Sequence, residues 1–221
     1  MKKIHFLLLL FTSIAQSSEI EITFIGNCGI HLSDGEISIY VDFPYKSGAY
    51  GYMSYEDTVL EEIIPNSTFI FTHQHNDHYS GRDLRRVIKT KGGQRFTQWN
   101  LRKLRKWAKT IPHFEIEAFR TKHTFSIRHR SYLITWHGKK IYLSGDTEHA
   151  ETIGKMKDID LAFVPYWLLI DAEEKEIDID AKQFAIYHIA PVQIKSAKEN
   201  WSDNENIHPL VEQGETLTLK I

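Results

Sequence analysis

The chain has 221 residues, enough for one large domain or two small ones to bury a core without help from disulfides or structural metal. Its content, 42% hydrophobic and 25% charged, is that of a globular protein and speaks against a disordered or repetitive chain. A formal net charge of −2 gives no basis for nucleic-acid binding, and the single cysteine, Cys28, rules out an internal disulfide.

In chain order, Lys2 and Lys3 precede the apolar run IHFLLLLFTSIA, and Ser13-Ile14-Ala15 supplies small residues where a signal peptidase cuts. Residues 1–15 are therefore read as a cleaved secretory signal, and the run is shorter than the ~20 residues of a spanning helix. The expectation is an exported protein, periplasmic or secreted, with no stable membrane span after cleavage. The mature chain, residues 16–221, is expected to form a single domain, two lysines poorer and of formal charge −4.

Glu19–Ile25 alternates polar and apolar residues like a half-buried strand and breaks at Gly26-Asn27-Cys28-Gly29, where Cys28 reads as a small turn residue. Ile37–Asp42 is a second strand, halted by Phe43-Pro44, and Thr68–Thr72 is continuous and apolar like a buried central strand. Helices are predicted over 83–90 and 100–111, the second from Leu101, Leu104, Trp107 or Ala108, and Ile111 on one face. Strands follow over 131–135, 140–144 and 161–164, then a helix over 180–189, a strand over 192–197 and a last strand over 215–221. Strands at both ends with helices between and after them indicate a mixed α+β domain.

The stretch FIFTHQHNDHYSG places His73, His75, Asp77 and His78 at the end of the buried strand. Residues two apart in an extended segment point the same way, so His73, His75 and Asp77 share a side, and a turn toward the following helix brings His78 round. Imidazoles and a carboxylate converging at a strand end are ligands for zinc, with iron or manganese as its neighbours in ligand preference.

The pattern His73-Gln74-His75-Asn76-Asp77-His78 resembles the HxHxDH motif of the metallo-β-lactamase fold superfamily. The opening Gly26–Gly29 turn, Val41-Asp42 before Phe43-Pro44, and Ser144-Gly145-Asp146-Thr147 resemble its ascorbate-phosphate lactonase-like members. The likeness spans about Ile20 to Ile221. It implies a four-layer αββα sandwich holding one or two Zn2+ ions, or Fe or Mn, where the sheets meet. His73 and His75 would bind the first ion, Asp77 and His78 the second, and Asp146 would bridge. The third histidine of the first position lies among His123, His129 and His137. His123 is chosen, with His129 its main rival and His137 taken as an exposed turn residue.

The family also implies a late histidine on the second ion. The equivalent stretch, Ala190–Lys198, contains none, and Lys198 stands where it is expected. His188 comes too early for that pattern and His208 lies in a loop, so the second position is expected to lack a protein ligand. The implied chemistry is attack of metal-activated water on an ester, lactone, amide or phosphodiester of a small-molecule substrate. Asp77 would orient the nucleophile or, with one ion bound, accept its proton, and water, His149 or Lys198 would protonate the leaving group. The rival reading is a divergent, non-catalytic or single-metal binding protein of the same fold; a true β-lactamase ranks below both.

Two further features bear on substrate. The basic run from Arg82 to Lys109 is either a rim attracting an anionic substrate or a solvated face offset by the acidic run Asp171–Asp180. Tyr45, Tyr50, Tyr52 and Tyr55 form either a substrate-facing flap or a plain surface loop.

Overall fold

The computed structural model describes residues 19–201 and 204–221, so the expected signal segment, residues 1–15, lies outside the described residues. Among the described residues no helix is long and apolar enough to cross a membrane.

Two six-stranded sheets carry the fold. The first is built from β1 (Glu19–Gly26), β2 (Gly29–Ser33), β3 (Ser38–Val41), β4 (Thr68–Ile70), β5 (Gln94–Phe96) and β12 (Thr216–Lys220), in the order β12-β1-β2-β3-β4-β5. The second uses β6 (Phe114–Arg120), β7 (Arg130–Trp136), β8 (Lys139–Leu143), β9 (Leu161–Pro165), β10 (Phe184–Tyr187) and β11 (Ile207–Pro209), in the order β11-β10-β9-β8-β7-β6. In each sheet one half is antiparallel and the other parallel: β3, β4 and β5 run together, as do β8, β9, β10 and β11.

Side-chain alternation sorts these strands into layers. Along β8 and β9, Ile141, Leu143, Leu161 and Phe163 enter the core between the sheets, whereas Tyr142, Ala162 and Val164 point the other way. The outward set is apolar too, because α4 (Tyr166–Glu174) and α5 (Ile194–Trp201) cover it with Leu168, Ala172 and Ala197. On the opposite side α1 (Thr58–Glu62) and α2 (Gly81–Lys91) cover Tyr40, Phe69 and Phe71 with Leu60, Leu84 and Val87. The short α3 (Leu101–Ala108) closes one end of the inter-sheet core with Leu104 and Ala108. This is the αββα sandwich expected from the sequence. Burying each of the large side chains is worth ~1.5–3 kcal/mol, so three apolar layers hold the molecule without a disulfide.

The late segment departs from expectation. Residues 180–189 contain strand β10 rather than a helix, and 192–197 belong to a 3₁₀ turn at Pro191–Gln193 and to α5 rather than to a strand. Ala185 and Tyr187 enter the inter-sheet core while Ile186 faces α4 and α5, so β10 is apolar on both faces and shows no alternation. Pro191 opens the helical segment, a position that suits its missing N–H.

Parallel strands bring their carboxyl ends to one edge. β3, β4, β8 and β10 finish there, each followed at once by a polar residue or loop: Asp42, Thr72-His73, Ser144-Gly145-Asp146 and His188.

Candidate metal centre

The loop after β4 delivers the first ligands. His73 is fully buried and His75 partly so, and Asp77 and His78 are buried in the turn that leads to α2. That helix is capped by Ser80, whose hydroxyl bonds both the backbone N–H and the carboxylate of Asp83.

Asp146 is the hub. Its Oδ2 lies 2.9 Å from His78 Nε2, 3.1 Å from His188 Nε2, 3.8 Å from His123 Nε2 and 3.9 Å from His73 Nε2. His188 Nε2 also lies 3.2 Å from Asp77 Oδ2. Donor atoms of His73, His75 and His123 form one group and those of Cys28, His78, Asp146 and His188 another, each with all atoms within 4.8 Å of one another. We refer to these as the open and the buried position.

Outer partners fix which nitrogen faces inward. His73 Nδ1 meets Thr72 Oγ1 at 3.0 Å, His78 Nδ1 meets Asp42 Oδ2 at 2.9 Å, and His123 Nδ1 meets Glu148 Oε1 at 3.3 Å. His75 Nε2 is engaged by the Phe125 carbonyl at 3.3 Å, which turns its Nδ1 toward His123 Nε2, also 3.3 Å away. Such partners orient an imidazole and raise its basicity toward a cation. Asp42 is itself held by the backbone N–H and hydroxyl of Thr72 at 2.8 and 2.6 Å.

The buried lone pairs fit a divalent cation. His73 Nε2 and Asp77 Oδ1 are buried without hydrogen-bond partners, and His188 Nε2 lies 3.1 and 3.2 Å from the Asp146 and Asp77 carboxylates. Each unsatisfied buried group costs ~1–3 kcal/mol, and a cation taking several lone pairs at once removes that cost. The donor set, imidazole with carboxylate, suits zinc and its first-row neighbours.

The electrostatics of the two positions differ. Burial lowers His73 well below its ordinary value and lowers His123 too, so both stay neutral. Burial would also depress His188, but the Asp146 and Asp77 carboxylates outweigh it and push it up to about 9. Burial would raise Asp146, yet His188 and His78 hold it well below the carboxylate range.

The structure thus brings His73, His75, Asp77, His78, His123 and Asp146 together, as the sequence pattern implied, and adds His188. The expectation that the buried position lacks a histidine is corrected: His188 ends β10 and occupies that place, hidden by the helical reading of 180–189. The available signal was a likeness of phrases, since FAIYH repeats FIFTH, an apolar run ending in histidine.

Lys198 is corrected as well. It lies exposed on α5 with Nζ 2.6 Å from Glu212 Oε1, turned outward by the helix that replaces the predicted strand. His149 does not face the cluster either; its Nδ1 is 3.4 Å from Lys175 Nζ, just past α4. His129 is fully buried and structural: its Nε2 accepts from the Asp146 N–H at 3.0 Å and its Nδ1 meets Thr121 Oγ1 at 2.7 Å. Gly145 permits that approach, because a Cβ there would sit 2.5 Å from His129 Nε2 and its φ is +60°. His137 is not an exposed turn residue but pairs with Asp34 Oδ2 at 2.9 Å, its side chain 9% exposed.

A cavity of about 500 Å3 opens over the cluster, walled by Tyr50, Tyr52, Phe125 and Trp167 around Asp77, Asp146 and His188. Tyr52 and Trp167 pack edge-on against the His188 ring at 4.1 and 5.2 Å between centroids. The tyrosine loop is divided: Tyr45 and Tyr55 are core anchors, the Tyr55 hydroxyl donating to the Tyr45 carbonyl at 2.6 Å, while Tyr50 and Tyr52 face the cavity. No residue of the basic run Arg82–Lys109 is among the described lining residues.

No protein-family model and no curated protein sequence matches the chain. Solved structures do. Igni18, a metallo hydrolase from Ignicoccus hospitalis, is 16% identical with a TM-score of 0.67, the match covering 92% of this chain and 99% of that one. The metallo-β-lactamase fold protein YhfI from Bacillus subtilis is 14% identical with a TM-score of 0.61, covering 91% and 99%. Zn2+-bound PqqB from Methylobacterium extorquens is 12% identical with a TM-score of 0.53, covering 90% and 99%. Whole-chain superposition at such low identity is evidence of shared architecture, and with the two mixed sheets and the strand-end cluster it establishes that this chain has the metallo-β-lactamase fold.

Proposed function

We propose that the protein is an exported metal-dependent hydrolase that uses one or two Zn2+ ions. The observation that carries this reading is the approach of four imidazole nitrogens, from His73, His78, His123 and His188, to the single oxygen Asp146 Oδ2. Bound there, a divalent cation polarises a carbonyl or phosphoryl oxygen and lowers the pKa of water to ~7.

The chain's own groups do the rest. Asp77 lies in the cavity wall with Oδ1 free of hydrogen bonds, placed to orient an attacking water and accept its proton. Asn27 Nδ2 donates to the Asp77 carbonyl at 2.8 Å and so steadies the segment that carries it. Tyr50, Phe125 and Trp167 offer an apolar wall to the body of a small-molecule substrate and exclude water from the reacting end. Among the described lining residues there is no Lys or Arg, so an anionic group on the substrate belongs at the reacting end, against the cations. The substrate class is an ester, lactone, amide or phosphodiester.

Elemental analysis of protein purified without added metal should give one to two ions per chain, and turnover of a generic phosphodiester or lactone should disappear in a folded Asp77→Ala variant. Metal-free protein that binds no added zinc would overturn the reading. The rival view, a single-metal binding protein, rested on the absent late histidine, and His188 removes that support. Export is supported by the Lys2-Lys3 pair and apolar run, and N-terminal sequencing of secreted protein would test it.

A further inference from the structure

We propose that Cys28 supplies a sulfur ligand to the buried position, making it a mixed sulfur, nitrogen and oxygen site that favours a thiophilic ion. The inference rests on the metal-centre reading above and concerns a residue outside the histidine and carboxylate pattern.

The position of the sulfur carries the argument. Cys28 is fully buried, its Sγ 3.8 Å from Asp146 Oδ1, and its sulfur, Asp146 and donor nitrogens of His78 and His188 all lie within 4.8 Å of one another. Ligand atoms at ~2.0–2.3 Å from a tetrahedral zinc are about 3.5 Å apart, so a small inward adjustment completes such a shell. A second feature points into the same space: His188 is 2% exposed, and its Nε2 lies 3.1 Å from Asp146 Oδ2 and 3.2 Å from Asp77 Oδ2, so its lone pair is directed at the carboxylates that a cation there would share.

The turn that carries Cys28 is held from several sides. Gly26 has φ +138°, and a Cβ there would fall 2.6 Å from the Tyr45 hydroxyl; Asn27 adopts φ 49°. The Asn27 carbonyl accepts from the His188 N–H at 3.0 Å, which ties the turn directly to a ligand of the same position. A turn so fixed presents the sulfur from a rigid support. On binding, the sulfur–metal bond forms as the thiol proton leaves to solvent.

The competing account is that Cys28 merely fills the inter-sheet core, where its sulfur also packs. Cobalt separates the two. The full chain, stripped of metal and loaded with Co2+ alone, should show visible ligand-field bands together with a near-ultraviolet thiolate-to-cobalt charge-transfer band. Because the chain has one cysteine, that band can only report Cys28. Cys28→Ser and Cys28→Ala should lose the near-ultraviolet band, keep the visible ones, and bind zinc at the buried position more weakly by more than the ~10–100-fold that loss of an outer partner causes. Visible bands without the near-ultraviolet band in the unaltered protein would overturn the proposal while leaving the metal centre intact. Absence of any cobalt spectrum would overturn both. The spectrum of the unaltered protein decides the matter even if neither variant folds.

Discussion

The two halves of the cluster share Asp146 and the Asp42–Thr72 support, and differ in most else. In the open half His75 and His123 border the cavity while His73 is fully buried; the His123 side chain is 14% exposed, and two of the half's three outer contacts come from the exposed Phe125 carbonyl and the half-buried Glu148. The buried half sits deeper, with Cys28 and His78 at 0% and His188 at 2% exposure, and its outer partner Asp42 is itself buried and doubly bonded. The contrast assigns different work to each. On the proposed reading the open half, with two partly exposed imidazoles, is the place to exchange a ligand for substrate, while the buried half reaches the cavity through His188 and Asp146 and is held by the two sheets.

Breaking the shared residue should have the largest effect. Asp146→Ala is expected to empty both halves and to reduce turnover by more than the ~10–100-fold that loss of an outer partner causes. His188→Ala should release only the buried ion and His123→Ala only the open one. Ions per chain by elemental analysis, beside circular dichroism to confirm folding, check all three. Loss of both ions from His123→Ala would show that the halves are not separable.

The open half was legible in sequence and the buried half only in part, for a physical reason. His73, His75, Asp77 and His78 come from one strand-end loop, so a local pattern contains them. Asp146 follows β8 and His123 precedes β7, and both strands carry apolar runs long enough to be read as strands over 140–144 and 131–135. His188 depends on β10, which has four residues and is buried on both faces, and such a strand has neither the alternation nor the length that distinguishes it from a helix. The same blindness produced the Lys198 assignment, because once 192–197 is taken as a strand the helix that turns Lys198 outward is lost. The layered fold was easier to read: the chain alternates apolar strands with helical stretches, and β1, β3, β4, β7, β8, β9 and β12 all have recognisable patterns.

Disturbing the outer support sharpens the contrast further. Asp42→Asn keeps the shape but weakens the hold on His78 Nδ1, and should lower metal affinity at the buried position ~10–100-fold, with a smaller loss at the open one, which Asp42 reaches only through Thr72 Oγ1 and His73 Nδ1. Competitive titration with a chromophoric chelator would read both affinities. Equal weakening at the two positions would mean that Asp42 acts through the fold and not through His78.

Acidity distinguishes the halves more gently. In metal-free protein His188 keeps its proton up to about 9. Against the pull of burial the Asp146 and Asp42 carboxylates hold the proton on His78, while burial holds that on the Cys28 thiol. An ion entering the buried half must therefore displace protons, and its apparent affinity should climb by at least about tenfold per pH unit between pH 7 and 9. His73 and His123 are already neutral there and add no such slope. Zinc titrations at several pH values should give one sloping and one flat affinity; two flat ones would count against the buried carboxylates as the cause.

That comparison needs the fold itself to stay constant over the range used, and His31 is one of the buried histidines that set its acid limit. Burial on β2, with the ring stacked on Tyr40 at 4.4 Å and Nε2 2.7 Å from Ser38 Oγ, lowers His31 from 6.5 to about 4. Its unfolded form therefore binds a proton that its folded form refuses. Above pH 6.5 the group has no effect; as pH falls from 6.5 toward 4 stability declines, by at most about 3 kcal/mol, and below that the loss is complete. Denaturant unfolding of metal-free protein at pH 7, 5.5 and 4 should show this decline, and His31→Gln should lessen it without abolishing it, because burial also holds His73 and His129 neutral. An unchanged slope in that variant would move the acid sensitivity from the sheet to the ligand cluster, where protonation of the neutral His73 would be the next cause to test.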